Sequence, residues 1–250
     1  MDINAIVESL AQTSPYFHKI VADKATQIAN TAKIISFSNL KTDVIAVKTP
    51  LDAISDAGTT QAWKEKLTAF INGYNKVVED IKTGTGYNVI TRVARPLTGS
   101  IEVRALQGAL SNAKNTSVDT NSLTNMGVSF EANGFLVVDS NKLDDVLTNH
   151  LSNFTSLFGL TGKGNVAGTG LVGAFNTAVN SATSLASGFL TKHIEGLERQ
   201  NAMLDIDISY QQRHLDQYKK QQLTKFAYME NSVLKSNFNQ QLIERMFSKI

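Results

Sequence analysis

The sequence predicts a mainly α-helical protein, in which long terminal helices form a coiled coil or helical bundle around a segment with a small β-hairpin. Three observations support this class. Residues 189–250 contain no proline and carry large side chains at alternating spacings of four and three. The first fifty residues carry a second stripe with helical spacing. Between the stripes, one short stretch has the Asn-Gly turn of a hairpin.

The C-terminal stretch 189–250 is predicted to be one long helix. Such a helix spans about 90 Å, at about 1.5 Å per residue. Its stripe needs a partner, either elsewhere in the chain or in another chain. The polar seam positions Asn201, Gln211 and Gln222 cost stability and tend to set register or partner. The apolar seam residues are Ile194, Leu197, Leu204, Ile208, Leu215, Phe226 and Met229.

The N-terminal stretch 1–48 is predicted to be a helical rod that pairs with the C-terminal helix. Pro15 breaks or kinks this rod, and Pro50 is expected to end it. The stripe expected to pack against the C-terminal seam consists of Phe17, Val21, Ile28 and Ile35. The two stripes can form a hairpin within one chain or an interface between subunits. The polar seam positions favour an assembly interface.

The segment between the rods divides into a connector, 49–60, and a domain, 61–188. A helix is predicted over 61–82, and a loop over 84–99. Ser100 is expected to cap a helix that runs to about residue 113. The hairpin spans 128–138, with its turn at Asn133-Gly134, and Asp139 or Ser140 caps the helix that follows. Residues 171–190 are predicted to form one helix that enters the long C-terminal helix.

The composition excludes several classes of function. The formal net charge is +2 and the basic residues are dispersed, so no nucleic-acid partner is expected. No window approaches eighteen apolar residues, so no membrane insertion is expected. There are no cysteines, which removes disulfides and thiolate sites. The early acidic residues do not form a Sec-type leader, so export is expected to use no cleavable signal peptide.

No constellation of residues indicates catalysis, a metal or a cofactor. His18, His150, His193 and His214 have no ligand-like spacing and are predicted to be solvated. The acidic residues after the hairpin lack the pattern of a calcium loop and are explained by a helix cap and a solvated face. The sequence therefore predicts a non-enzyme without cofactors.

Three segments together resemble the flagellar hook-associated protein 2 family, the filament cap proteins. The first contains Phe70-Ile71-Asn72-Gly73-Tyr74-Asn75. The second contains Pro96-Leu97-Thr98-Gly99-Ser100 and Val103-Arg104-Ala105-Leu106-Gln107. The third and most specific contains Met126-Gly127-Val128, Asn133-Gly134 and Asp139-Ser140-Asn141-Lys142-Leu143.

The resemblance implies a structural protein outside the cell, at the tip of the bacterial flagellar filament. Such proteins form a homo-oligomeric ring and promote the insertion of flagellin. Their terminal helices dock on flagellin or hook-associated proteins, and the chain leaves through the flagellar type III export apparatus with a cognate chaperone. In family terms 61–188 is the leg domain. The connector 49–60 stands where family members carry a β-rich head insertion, which puts the head plate in doubt.

Two alternatives stay open. The chain can be another flagellar axial subunit, similar to flagellin or to the junction proteins between hook and filament. It can also be a cytosolic coiled-coil adaptor or chaperone.

Overall fold

The computed structural model describes residues 3–54, 58–89, 92–160 and 169–247. Within these ranges the chain is mainly helical, with two short antiparallel hairpins, which confirms the predicted fold class. The elements are α1 (Ile3–Gln12), α2 (Pro15–Asp52), α3 (Thr60–Thr85), β1 (Tyr87–Asn88), β2 (Val93–Ala94), α4 (Ile101–Lys114), β3 (Val128–Phe130), β4 (Leu136–Val138), α5 (Ser140–Asn149), α6 (Leu151–Phe158), α7 (Gly170–Thr183) and α8 (Phe189–Phe247).

The chain divides into two compact units. The terminal unit comprises Met1–Asn30 and Arg199–Ile250, and the central unit comprises Thr31–Glu198. Both divisions fall inside long helices, α2 and α8, so each of these helices contributes to both units. The predicted domains 1–48, 49–60, 61–188 and 189–250 are based on sequence patterns, whereas the two units are compact in space. The predicted domains therefore stay a prediction.

A proline marks the break between α1 and α2, as predicted. Pro15 is the first residue of α2. Its missing backbone N–H costs nothing there, because the first N–H groups of a helix have no partner within it. The Ser14 side chain caps α2 by accepting a hydrogen bond from the Phe17 backbone N–H at 3.2 Å.

The prediction that Pro50 ends the second helix is wrong, because α2 continues to Asp52. Near the end of a helix, a proline removes only one backbone hydrogen bond. Val47 and Leu51 on either side of it are fully buried in the core, and their packing retains the last turn. The predicted connector therefore begins inside α2, and its residues 55–57 lie outside the described ranges.

Aromatic side chains from three helices build the core of the central unit. Phe70 of α3 meets Phe175 of α7 edge to face, with ring centroids 4.9 Å apart. Phe154 and Phe158, one turn apart on α6, stack at 4.4 Å. Leu106 of α4 is fully buried in the same cluster, and α4 lies against α7. The hydrophobic stripes of these helices thus share one core.

The predicted hairpin forms, with Phe130 of β3 opposite Leu136 of β4. Gly134 in its turn has a φ of +92°, a conformation that glycine adopts without a steric penalty. Asn75 of α3 holds the hairpin with two hydrogen bonds. Its Nδ2 donates to the Leu136 carbonyl at 2.8 Å, and its Oδ1 accepts from the Leu136 N–H at 2.7 Å. One side-chain amide thereby takes the place of a neighbouring strand.

Both helix caps predicted in the central segment are present. The Ser100 hydroxyl accepts a hydrogen bond from the Val103 N–H at 3.1 Å, at the start of α4. The Asp139 carboxylate accepts from the N–H groups of Asn141 and Lys142 at 3.0 and 3.1 Å, at the start of α5. Each cap satisfies backbone donors that have no partner within the helix.

Two segments differ from the prediction. Residues 84–99, predicted to be a loop, contain the β1–β2 hairpin, with Tyr87 opposite Ala94. Residues 171–190, predicted to be one helix, contain all of α7 except its first residue, a turn and the start of α8. Gly188 lies in that turn, where an added Cβ would stand 2.5 Å from the Ser184 backbone nitrogen. This close approach of two backbone segments needs a glycine.

Candidate assembly surface

The seam predicted on α8 is the less exposed face of that helix in the terminal unit. Leu215 is buried and Leu204 and Ile208 are half-buried, whereas the neighbouring Met203 and Ile206 are exposed. The buried or half-buried seam residues here are Asn201, Leu204, Ile208, Gln211, Leu215, Tyr218, Gln222 and Phe226. Alternating spacings of four and three therefore identified the packed side of α8 as far as Phe226. Met229, predicted to lie on the same seam, exposes 52% of its surface, so the intrachain packing expected for it is wrong.

The side of α2 that is buried in the terminal unit is not the side predicted from its apolar residues, but the side next to it. Val21 and Ile28 expose 50% and 71% of their surface, whereas Ile20, Asp23 and Asn30 are buried. Each residue turns an α-helix by about 100°, so a shift of one or two positions rotates the packed face to another side. The intrachain packing expected for Val21 and Ile28 is wrong. Their role in an interface between subunits stays a prediction.

Polar side chains on the packed face of α2 explain why hydrophobic spacing missed it. Asp23 Oδ1 accepts a hydrogen bond from Lys19 Nζ. Gln27 Nε2 donates to Asp205 Oδ1 of α8 at 2.5 Å. Asp23 Oδ2 and Asn30 Nδ2 are buried and have no hydrogen-bond partner in the part of the chain that the structure describes. Such an atom costs about 1–3 kcal/mol, so this pairing is weaker than an apolar seam.

A small apolar cluster joins α1, α2 and α8. It consists of Ala11, Ile20 and Leu215, with Tyr16, Phe17 and Ile208 packed against it. At its side, Lys219 Nζ donates to Glu8 Oε2 at 2.7 Å, which links α8 to α1. The structure thus brings together Phe17, Ile208 and Leu215 of the predicted interface.

The prediction that the histidines of α8 are solvated is wrong. The His214 ring stacks on Tyr16, with centroids 5.4 Å apart. His193 Nδ1 lies 2.8 Å from Glu102 Oε1, and its ring meets Phe37 edge to face at 4.6 Å. Spacing along α8 carries no signal for these contacts, because the partner residues lie on other helices.

In the central unit, the predicted interface residues of α8 are packed and that of α2 is exposed. Leu197 is buried in the core, and the half-buried Ile194 packs against it. Ile35 exposes 56% of its surface, whereas Ile34 and Phe37 contact the core. The intrachain packing expected for Ile35 is therefore also wrong, and the packed face again lies beside the predicted one.

The last part of α8 carries an apolar stripe that faces solvent. Every residue from Met229 to Met246 is exposed. Its large apolar side chains are Met229, Val233, Leu234, Phe238, Leu242, Ile243 and Met246. Exposed apolar surface on this scale is typical of sites that bind another protein.

A polar groove with a cavity volume of about 710 Å³ runs beside α2 and α3. Lys76 Nζ lies between Asp43 Oδ2, at 3.2 Å, and Asp80 Oδ2, at 3.1 Å. Burial, assisted by a hydrogen bond with Asp80, raises the pKa of Asp43. The hydrogen bonds to the two carboxylates raise the pKa of Lys76. The lysine thus offsets two acidic groups that face each other.

Asp43→Asn is expected to raise stability at pH 7 and to weaken its dependence on pH. The pKa of Asp43 is higher in the folded chain than in the unfolded one, so the folded chain binds this proton more tightly. The resulting stabilisation is complete below about pH 4 and is lost as the pH rises through the folded pKa. Urea unfolding at pH 4 and pH 7 measures the change.

Glu79→Gln is the matched control for this substitution, since Glu79 is an exposed acid on α3, the helix that carries Lys76 and Asp80. The two variants should differ at pH 7. Lower stability of Asp43→Asn than of the wild type at pH 7 would contradict the electrostatic assignment.

The described residues contain no group of three or more histidine, aspartate or glutamate side chains placed to bind a metal ion. None of the helices in these ranges combines the length and the apolar character needed to cross a membrane.

Comparison with known proteins identifies the family. The family described as "Flagellar hook-associated protein 2 C-terminus" matches residues 27–238. Flagellar hook-associated protein 2 of Helicobacter pylori (strain ATCC 700392 / 26695) is 24% identical over 209 residues, covering 78% of this chain and 30% of the relative. The A-type protein of that name from Pseudomonas aeruginosa is 24% identical over 177 residues, covering 68% of this chain and 35% of the relative.

The chain spans about a third of the length of these relatives. A crystal structure of the flagellar cap protein FliD D1-D2-D3 domains from Escherichia coli has a TM-score of 0.44 and 22% identity, and the match covers 56% of this chain and 37% of that one. Since the family match extends over most of the sequence, this chain belongs to the flagellar hook-associated protein 2 family.

Proposed function

We propose that this protein is a structural subunit of the flagellar filament cap, which assembles as a ring at the distal end of the filament and promotes the insertion of flagellin. Membership of the family supports the proposal. The structural observation that supports it best is the exposed apolar stripe from Met229 to Met246. A helix with such an apolar face binds another helix or an apolar groove. The proposed role of the protein is therefore in assembly and involves no catalytic step.

The predicted interface residues take two roles in this proposal. The exposed ones contact neighbouring subunits, namely Val21, Ile28, Ile35 and Met229. Ile208 and Leu215 act indirectly, because they hold α1, α2 and α8 together. Ile194 and Leu197 also act indirectly, because they pack in the core of the central unit.

The proposed partners are other copies of the chain, flagellin and hook-associated proteins. The proposed location is outside the cell, at the filament tip. An exposed apolar helix needs protection before it reaches its binding site. A cognate export chaperone can supply that protection before passage through the flagellar type III apparatus. The small net charge of +2 gives no reason to add a nucleic-acid partner.

The domain organisation is part of the proposal. Residues 61–188 form the leg, and the stretches 1–48 and 189–250 form the terminal helices. The connector 49–60 stands in the place of the head insertion. A cap built from such subunits has its leg and terminal contacts but lacks a head plate from this part of the chain.

Deletion of the gene tests the role in capping. The mutant is expected to release unpolymerised flagellin into the medium and to carry short filaments or none, as measured by immunoblot and electron microscopy. Normal filaments together with the protein in the filament wall would favour another axial subunit. A protein found only inside the cell would favour an adaptor or chaperone. Either result contradicts the capping role.

Complementation with Ile208→Asp tests the seam. Ile208 packs against the cluster of α1, α2 and α8, so a carboxylate there costs about 1–3 kcal/mol and should loosen the terminal unit. Released flagellin should rise several-fold over wild-type complementation. Ile206→Asp is the matched control, because Ile206 is exposed on the same helix. Equal behaviour of the two variants would contradict the seam assignment.

A further inference from the structure

A cleft with a volume of about 200 Å³ lies between α3, α4 and the turn of the β3–β4 hairpin, within the central unit. Its floor is apolar, since Ile81 and Leu110 are buried. Lys82 lines it from α3 and Lys114 lines it from α4. The cleft is therefore a small depression with an apolar floor and two basic side chains.

Both lysines are held on aromatic rings of the hairpin. Lys114 Nζ lies 4.5 Å from the centroid of the Phe130 ring. Lys82 Nζ lies 5.2 Å from the centroid of the Phe135 ring. Cation–π attraction at these distances restrains a lysine without neutralising its charge. Among the described residues, neither lysine forms an ion pair.

The other polar groups of the cleft include hydrogen-bond donors. Gln107, Ser111 and Tyr74 line it, and burial raises the pKa of Tyr74, so its hydroxyl stays protonated. Of the described residues that line the cleft, none is an aspartate or a glutamate. Glu131, beside the turn, accepts a hydrogen bond from Asn133 Nδ2 at 2.7 Å. The cleft thus has two positive charges and several donors without a carboxylate in its lining.

We propose that this cleft binds a carboxylate side chain from an acidic segment of a partner polypeptide. A carboxylate between the lysines would form charge-assisted hydrogen bonds above an apolar floor, where electrostatic attraction is stronger than in water. Because the aromatic rings already restrain the lysines, binding costs less side-chain entropy. The inference concerns the central unit alone and does not rest on the role in capping.

A polypeptide is favoured over a free anion because of the surface beside the cleft. Phe130, against which Lys114 packs, is exposed, and Phe135, against which Lys82 packs, is half-buried. Accessible aromatic side chains next to a basic pair suit a peptide that carries both apolar and acidic residues. An inorganic anion gains nothing from the apolar rim.

Titration of the whole ¹⁵N-labelled chain with peptides tests the proposal. The probe is an acetylated and amidated pentapeptide, Ala-Glu-Leu-Glu-Ala. It should shift the amide signals of Gly134 and Gln107, two residues that line the cleft. The same peptide with glutamine for glutamate should bind about tenfold more weakly, since it lacks the charges. Inorganic phosphate, in a parallel titration, should shift the same signals only at much higher concentration.

Three variants test the two lysines, the net charge of the chain and the lining of the cleft separately. Lys82→Gln with Lys114→Gln should weaken binding of the glutamate peptide about tenfold. Lys33→Gln with Lys66→Gln makes the same change in net charge at exposed sites on α2 and α3 and should leave binding unchanged. Gln107→Glu keeps both lysines but adds a negative charge to the lining, and it should also weaken binding.

Three results would overturn the inference. They are equal binding of the glutamate and glutamine peptides, equal loss in both lysine pairs, and phosphate binding as tight as that of the glutamate peptide. None of these measurements needs a filament, so their failure leaves the role in capping unaffected. Normal filaments after gene deletion would likewise leave the cleft unaffected.

Discussion

Phe175→Ala is expected to lower the free energy of unfolding by about 3–5 kcal/mol, the largest effect of any substitution considered for this protein. Phe175 of α7 is fully buried and meets two aromatic rings edge to face. The centroid distances are 4.9 Å to Phe70 and 6.2 Å to Tyr74. Truncation removes the transfer free energy of the ring and leaves a cavity, since the surrounding helices relax only in part.

Urea denaturation followed by circular dichroism measures this loss as a lower midpoint at an unchanged slope. Ile101→Ala is the control, because Ile101 is an exposed aliphatic residue on α4 and its truncation should change stability by less than about 0.5 kcal/mol. A loss below about 1 kcal/mol for Phe175→Ala would show that the contact between α3 and α7 is not central to the core.

Asn75→Asp is expected to destabilise the β3–β4 hairpin by about 2–3 kcal/mol at pH 7. Asn75 Nδ2 donates to the Leu136 carbonyl, and Oδ1 accepts from the Leu136 N–H. The aspartate side chain retains the acceptor but replaces the donor with a second acceptor opposite a carbonyl oxygen. Below about pH 4 the new carboxyl is protonated and regains a donor, so part of the loss should disappear.

Hydrogen exchange at the Leu136 amide gives the local readout, and urea unfolding at pH 3.5 and pH 7 gives the dependence on pH. Asn72→Asp is the matched control on the same helix, since Asn72 is exposed. It should leave the exchange rate of Leu136 unchanged. Equal exchange in the two variants would mean that the side chain of Asn75 does not hold the strand.

Local sequence patterns predicted several elements well, for reasons contained in the residues themselves. The turn at Asn133-Gly134 needs a residue that tolerates positive φ, and Gly134 has a φ of +92°. Ser100 and Asp139 have the short polar side chains that cap helices, and both do so.

Elements stabilised by contacts from elsewhere were predicted less well. The β1–β2 hairpin was missed, because its two-residue strands are too short for an alternating pattern. The continuation of α2 past Pro50 depends on the burial of Val47 and Leu51, which overrides the local effect of a proline.

The candidate surface shows the same division between local pattern and contact. On α8 the seam is partly apolar, so spacing alone located it, with Ile208 and Leu215 as examples. On α2 the packed face holds Asp23, Gln27 and Asn30, and the apolar residues beside it face solvent. A rule that assigns apolar residues to the packed face therefore chose the wrong side of α2.

Local sequence patterns were sufficient to predict the helical class, the β3–β4 hairpin, the two helix caps and the packed face of α8 as far as Phe226, because each follows from the spacing or backbone preference of nearby residues. Contacts between distant elements were needed to show which face of α2 is packed, how Asn75 holds a distant strand, and that Lys82 and Lys114 line one cleft. These features depend on contacts between residues far apart in the chain. Polar groups can occupy packed positions when a distant partner satisfies them, and no local pattern reports that partner.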